Sequence, residues 1–299
     1  MPAKATFRRW RGRALAVLLR AVSALLGRCS RRTVQRVGRT FGRLAWTFGR
    51  RDRRRALDHL AMAYPEMPEA ERRRLARASF LHQGTNLGEI LHLRHAECEA
   101  VEAWVDAEGW DRVAALQTAG RPILILTGHC GNWELLAALI NCRGLQMAVV
   151  ARRLEEPELQ DLLLGLRSRY GTETIERGEQ GAARRLLGVF RSGGALGMLI
   201  DQDIRGDGVW VPFFGRDAHT PVGAAKIALK LDAAVVPSFI QRLPDGRHRA
   251  VFHPPLELPD DPTEATAAMT MAIEQQVRRV PEQWVWMHRR WRRRPPPPD

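Results

Sequence analysis

Residues Gly128-His129-Cys130-Gly131-Asn132-Trp133-Glu134 gather a base, an acid and two flexible hinges into one short segment. Histidine is the side chain that can accept a proton near neutral pH without environmental help. With four residues intervening, a carboxylate can return to the imidazole, fix its tautomer and favour the charged ring. Such a pair suits acyl transfer to a hydroxyl, which needs a base because so little of the alcohol is ionised at neutral pH. His129 is the candidate general base and Glu134 its partner. The tetrahedral intermediate also needs donors for its oxyanion. Backbone N–H groups near Gly131 and Asn132 and the guanidinium of Arg152 are candidates. A second acidic cluster, Asp201-Gln202-Asp203, either joins the site or caps loops. Cys130 invites a Cys-His thiol mechanism, but successive side chains in an extended segment point to opposite sides, which argues against it. A metal held by His129, Glu134 and Asp203 is the subordinate reading, and no cofactor is implied.

The elements that must position these residues follow from periodicity. From Arg121 onward, short β-rich runs (Ile123 to Thr127, Met147 to Ala151, Leu196 to Ile200, Val235 to Ile240) alternate with helical stretches. Those stretches are Glu134 to Ile140, Glu158 to Arg169, Gln180 to Arg191 and Val222 to Leu231. The alternation predicts an α/β fold, with a mostly parallel sheet flanked by helices. In such sheets ligands gather at the carboxyl ends of strands. His129 and the Asp201-Asp203 cluster both stand where a strand stops. The Pro244-Asp245-Gly246 turn predicts an antiparallel edge hairpin. A last helix is expected over Pro262 to Val280, then a disordered tail at 295–299.

The first hundred or so residues read as helical and basic. Phe7, Trp10, Val17, Leu18, Ala21, Val22 and Leu25 fall on one arc, with Arg9, Arg13 and Arg20 opposite. Val34, Val37, Phe41, Leu44 and Phe48 form a second stripe, with Arg36, Arg39 and Arg43 off it. This is the pattern of helices lying in the interface of an anionic membrane, or of helices docked on the protein's own core. The chain divides into a membrane-associating region at 1–50 and one main domain at 51–294. Arg20 and the Arg28-Cys29 pair argue against an export signal. The 47 Lys and Arg against 33 Asp and Glu leave a formal charge of +14, a surface that attracts nucleic acid, acidic headgroups or an acidic carrier protein. No nucleic-acid motif accompanies the charge, so nucleic acid is the disfavoured partner. Four cysteines with no CxxC pair predict a reduced, cytosolic compartment.

The segment Gly128 to Glu134 resembles the H-x4-D/E signature of the bacterial lipid A biosynthesis acyltransferases, a family that includes phosphatidylinositol mannoside acyltransferases. The segments ARRLEEPELQDLLLGLRSRYG, LIDQD, VPFFGRDAHTPVGAAKIALK and PEQWVWMHRRW are similar to its other blocks, in order, and ALDHLAMAYPEMPEAERRRLARASFLHQGTNLGEIL to its helical lead-in. The resemblance implies a glycerolipid-acyltransferase-like domain on the cytoplasmic face of the inner membrane. It implies an acyl-acyl carrier protein donor, or acyl-CoA, and a lipid acceptor. His129 and Glu134 would be the catalytic pair, with Arg152, Arg167 and Asp203 supporting the site. Trp133, Phe213 and Phe214 would shape an acyl channel, or else pack in the core. Where relatives carry Arg-Pro-Leu-Asp-Asn-Pro, this chain has Arg152-Arg153-Leu154-Glu155-Glu156-Pro157, which leaves lipid A precursor, other glycolipid and lysophospholipid all open as acceptors.

Overall fold

The computed structural model describes residues 17–154, 156–204 and 206–295. Phe7, Arg9, Trp10, Arg13 and the tail beyond 295 therefore lie outside the described residues.

Five helices lead: α1 (residues 17–27), α2 (Arg31–Phe48), α3 (Arg50–Ala63), α4 (Glu69–Leu93) and α5 (Cys98–Trp104). The α/β part follows as β1 (Val105–Glu108), α6 (Trp110–Thr118), β2 (Ile123–Thr127), α7 (Trp133–Cys142), β3 (Met147–Ala151) and α8 (Pro157–Arg169). It continues through β4 (Glu173–Glu176), α9 (Ala182–Arg191), β5 (Ala195–Leu199), β6 (Gly208–Phe213), β7 (Arg216–Pro221) and α10 (Gly223–Leu231). It ends with β8 (Ala234–Arg242), β9 (His248–Phe252), α11 (Pro262–Arg279) and a 3-10 turn at Pro281–Gln283. Seven strands form one sheet in the order β1-β9-β8-β2-β5-β3-β4, parallel except for the β8–β9 pair. The expected α/β class, with its mostly parallel sheet, is what the chain adopts.

β2 is buried at all five positions, because helices cover both faces of the sheet and no polar alternation is tolerated. On one face Leu124, Leu126, Val235 and Phe239 join α3, α10, α11 and the tryptophans Trp284 and Trp286. On the other, Ile123, Ile125 and Val236 meet α5 and α7.

α2 packs on α4 through glycines. A Cβ added at Gly38 or Gly42 would collide with α4 backbone, and one at Gly84 with α2 backbone. This close approach leaves Phe41, Leu44 and Phe48 facing outward, exposed by 43%, 48% and 77%. Of the second apolar stripe Val34 is buried and Val37 packs half-buried against the same cluster, while Phe41, Leu44 and Phe48 face outward. Among the described residues no helix is long and apolar enough to cross a membrane.

Three expectations are corrected. The β8–β9 hairpin is not the edge, because β1 pairs in parallel outside β9. β4 and the separate β6–β7 hairpin also escape the alternation seen in sequence: charged and polar residues interrupt β4 and β7, and β6 reads Gly-Val-Trp-Val-Pro-Phe, with a glycine and a proline in the run. The cysteines are not all free: Cys98 and Cys142 form a disulfide joining α5 to α7, their Cα atoms 5.3 Å apart. A separation of 44 residues hides that pair from any local spacing rule.

Candidate active site

β2 ends at Thr127 and hands the chain to a turn that only glycine permits. Gly131 has φ +72°, and a Cβ there would collide with the Ile240 carbonyl. Asn132 then caps α7, its Oδ1 accepting from Leu135 N at 3.2 Å. His129 is thereby held at the carboxyl end of a central strand, its side chain 21% exposed.

The carboxylate that meets the imidazole is Asp201. Its Oδ1 lies 2.7 Å from His129 Nδ1, and its Oδ2 accepts from the His129 backbone N–H and from the Trp284 indole, both at 2.8 Å. Burial would raise the Asp201 carboxyl, but the adjacent imidazole and these three hydrogen bonds prevail and hold it well below the usual carboxylate range. An ionised Asp201 must accept at Nδ1, which leaves Nε2 as the basic nitrogen. Glu134, the partner expected from spacing, is engaged elsewhere. Arg167 grips it with both prongs, Nε to Oε2 at 3.0 Å and Nη2 to Oε1 at 2.7 Å. The reason is topological: β2 and β5 are neighbours, so the end of β5 delivers Asp201 to His129 across 72 residues.

The other expected residues are distributed as follows. The Gly131 N–H donates to Gln283 O at 3.1 Å, and both polar atoms of Asn132 are used internally, Nδ2 toward Glu89 Oε2 at 3.1 Å. The Gly131 N–H and the Asn132 side chain are thus already engaged. Asp203 is buried and held by Arg293 at 2.7 and 2.9 Å, closing a loop against the C-terminal segment. With their side chains bound by Asp201, Arg167 and Arg293, His129, Glu134 and Asp203 do not converge as a metal site. Arg152 follows β3 on the same sheet edge and is exposed. Trp133 stands edge-on to the His129 ring at 4.9 Å. Phe213 and Phe214 are buried edge-to-face at 5.0 Å in the aromatic core with Trp284, Trp286 and Trp291. Burial pushes the Cys130 thiol up, which keeps it protonated and removes the thiolate mechanism.

Several participants were not singled out from the sequence. Trp284 belongs to the PEQWVWMHRRW block, and its segment runs beside the site, with Val285 N donating to His129 O at 3.2 Å. His288 stacks on His129 at 6.5 Å; burial, and after it the His129 ring, pull its pKa down to about 4, so it stays neutral. Glu89 of α4 anchors the loop from below. It binds Asn132, Gln35 at 2.8 Å and the Arg242 fork, while Asn86 donates to Gly131 O at 2.7 Å. A Glu in a helical lead-in gives no local signal of this, because these partners come from three separate segments, α2, the loop before α7 and β8.

A buried carboxylate and a partly exposed imidazole whose tautomer it fixes are the parts of a general base for an alcohol nucleophile. The sequence profile of bacterial lipid A biosynthesis acyltransferases matches residues 1–293. The chain is similar to the lipid A biosynthesis lauroyltransferase of Escherichia coli K12, at 27% identity over 88% of this chain and 86% of that protein. It is similar to the palmitoleoyltransferase of the same organism, at 25% identity over 87% and 85%. A phosphatidylinositol mannoside acyltransferase of Mycobacterium tuberculosis matches at 26% identity over 61% and 58%. With one family profile covering nearly its whole length, the chain belongs to the bacterial lipid A biosynthesis acyltransferase family and is an enzyme that transfers acyl groups.

Proposed function

We propose that the protein moves a fatty acyl group from a thioester, carried by an acyl carrier protein or by CoA, onto a hydroxyl of a lipid A precursor or related glycolipid. The observation that carries this reading is the 2.7 Å contact of His129 Nδ1 with a buried, ionised Asp201 at the carboxyl end of β2. His129 Nε2 takes the proton of the acceptor hydroxyl as its oxygen attacks the thioester carbonyl. The tetrahedral intermediate collapses, the C–S bond breaks, and the imidazolium returns the proton to the leaving thiolate. Asp201 stabilises the imidazolium formed between these steps. With Gly131 N–H occupied, the oxyanion falls to the amino end of α7, where helix N–H groups and the dipole favour negative charge. Glu134 acts through Arg167, holding the first turn of α7 to α8.

The site works at a membrane surface in this reading. Val17, Leu18 and Leu25 of α1 and Phe41, Leu44 and Phe48 of α2 are exposed beside Arg32, Arg36, Arg39 and Arg43, which suits a peripheral seat on the anionic inner membrane. The test is product analysis with acyl-acyl carrier protein and lipid acceptor in mixed micelles. The acylated lipid is expected with the wild type and absent with His129→Ala. Accumulation of free fatty acid in the presence of acceptor would assign a hydrolase instead.

A further inference from the structure

We infer that Trp284 is a positioning residue for acyl transfer: its indole N–H fixes the carboxylate of Asp201 and, through it, the imidazole of His129. The inference deepens the acyl-transfer reading and rests on it for the reaction that the pair performs.

Asp201 takes part in three hydrogen bonds, and two of them belong to His129 itself, the ring at Oδ1 and the backbone N–H at Oδ2. Trp284 Nε1 supplies the third, to Oδ2 at 2.8 Å. Among the described residues it is the one donor to this carboxylate that lies outside His129. The terminal torsion of an aspartate is soft, so a carboxylate held by the histidine alone can turn and carry the ring with it. With Oδ2 pinned by the indole, Oδ1 is the oxygen left for Nδ1. Asp201 is buried, so bulk water does not replace a donor lost there.

The indole is fixed in turn to the segment it serves. Residues 283–285 run antiparallel to the turn bearing His129: Gly131 N donates to Gln283 O at 3.1 Å, Val285 N donates to His129 O at 3.2 Å, and Cys130 pairs with Trp284 between them. Ser79 Oγ of α4 donates to Trp284 O at 2.7 Å. The ring is buried, packed edge-to-face on Trp286 at 4.7 Å and tilted on Phe213 at 5.6 Å. Gly128 leaves room for the carboxylate, since a Cβ there would stand 3.1 Å from Asp201 Oδ2. Indole, carboxylate and imidazole therefore hold one geometry as a unit. Packing alone would be served by a phenyl ring; the N–H is what the indole adds. Its value to the reaction is placement, because a base displaced by about 1 Å from its alcohol loses on the order of 100-fold in rate.

Replacing the Trp284 indole with benzothiophene, by stop-codon suppression, changes only N–H to S and keeps the packing; Trp284→Phe removes the same donor by ordinary mutagenesis. Assayed with acyl-acyl carrier protein and lipid acceptor, each variant is expected to lower kcat by about 10–100-fold and leave KM nearly unchanged. The low-field proton resonance of His129 Nδ1–H, assigned by its loss in His129→Gln, reports the bond to Asp201 without turnover and should be displaced or broadened in both. In an Asp201→Ala background Trp284→Phe should cost nothing further, because the indole then has no carboxylate to hold. Retention of more than half the wild-type kcat, an unmoved resonance, or an equal loss in the Asp201→Ala background overturns the role and leaves Trp284 as packing. A wild type that forms no ester, yet whose resonance moves when the N–H is lost, overturns the acyl-transfer reading and leaves the hold on Asp201 standing.

Discussion

His129 and Asp201 divide a task that neither can do alone, and the tautomer that Asp201 fixes makes a sharp prediction. In Asp201→Asn the amide oxygen can keep the two donors now on Oδ2, His129 N and Trp284 Nε1. Its NH2 then faces Nδ1, which must become the acceptor, and the proton moves to Nε2, where a base is required. We expect kcat to fall by about 10³–10⁴-fold with little change in the melting curve; retention of more than a tenth of wild-type turnover would remove Asp201 from the mechanism. Glu134→Ala behaves differently. It strands Arg167, whose side chain is only 12% exposed, and should lower stability by roughly 3–5 kcal/mol in urea unfolding. If that variant is as stable as the wild type, Glu134 has no anchoring role. His129 itself was legible in sequence, because glycines and a strand end flag it locally. Its acidic partner was not, because only the adjacency of β2 and β5 brings Asp201 to the ring.

The elements themselves were legible in proportion to their apolar pattern. β2 and β3 appear at the residues where the sequence predicts them, since a doubly covered strand must be apolar throughout. β4 reads Glu173-Thr174-Ile175-Glu176, with one buried residue, and nothing local separates it from a loop. The α2–α4 interface was hidden for a related reason: glycines carry no hydrophobic signal, yet they set how closely the two axes approach. Gly84→Ala would ordinarily favour a helix by close to 1 kcal/mol. Here the added methyl collides with the Gly42 and Gly38 backbone, which cannot rotate away. Net destabilisation of about 1–3 kcal/mol is expected, read by thermal or urea unfolding. A more stable Gly84→Ala would mean that the helices do not pack as described. Gln35, Glu89 and Asn132 link this helix pair to the His129 loop, so a shift of α2 reaches the cap of α7 through two hydrogen bonds.

Across the whole molecule, titration and surface charge each have a measurable consequence. His82, His248, His59 and His288 are all drawn below their ordinary value, burial being the leading cause for each. In the unfolded chain they take up protons near pH 6.5, and in the folded one they resist. The unfolded state therefore binds more protons between about pH 6.5 and 4, and stability must fall as pH drops through that window. Asp201 and Glu89, held low, keep their contributions until below about pH 4. Urea midpoints at pH 7.5, 6 and 5 should decline in that order; a flat series would mean that these rings are not buried neutral. The surface makes the second prediction. The net charge of +14 and the row Arg36, Arg39 and Arg43 beside exposed Phe41, Leu44 and Phe48 supply two separable forces at one helix. Each arginine near an anionic surface contributes about 1 kcal/mol, and salt screens it. Replacing the three arginines with glutamine should therefore weaken sedimentation with phosphatidylglycerol vesicles by about 100-fold at low salt, and by less as salt rises. Replacing Phe41, Leu44 and Phe48 with serine removes an apolar contribution that salt does not screen, so its effect should persist at high salt. If both variants sediment like the wild type, α2 is not the membrane-facing helix.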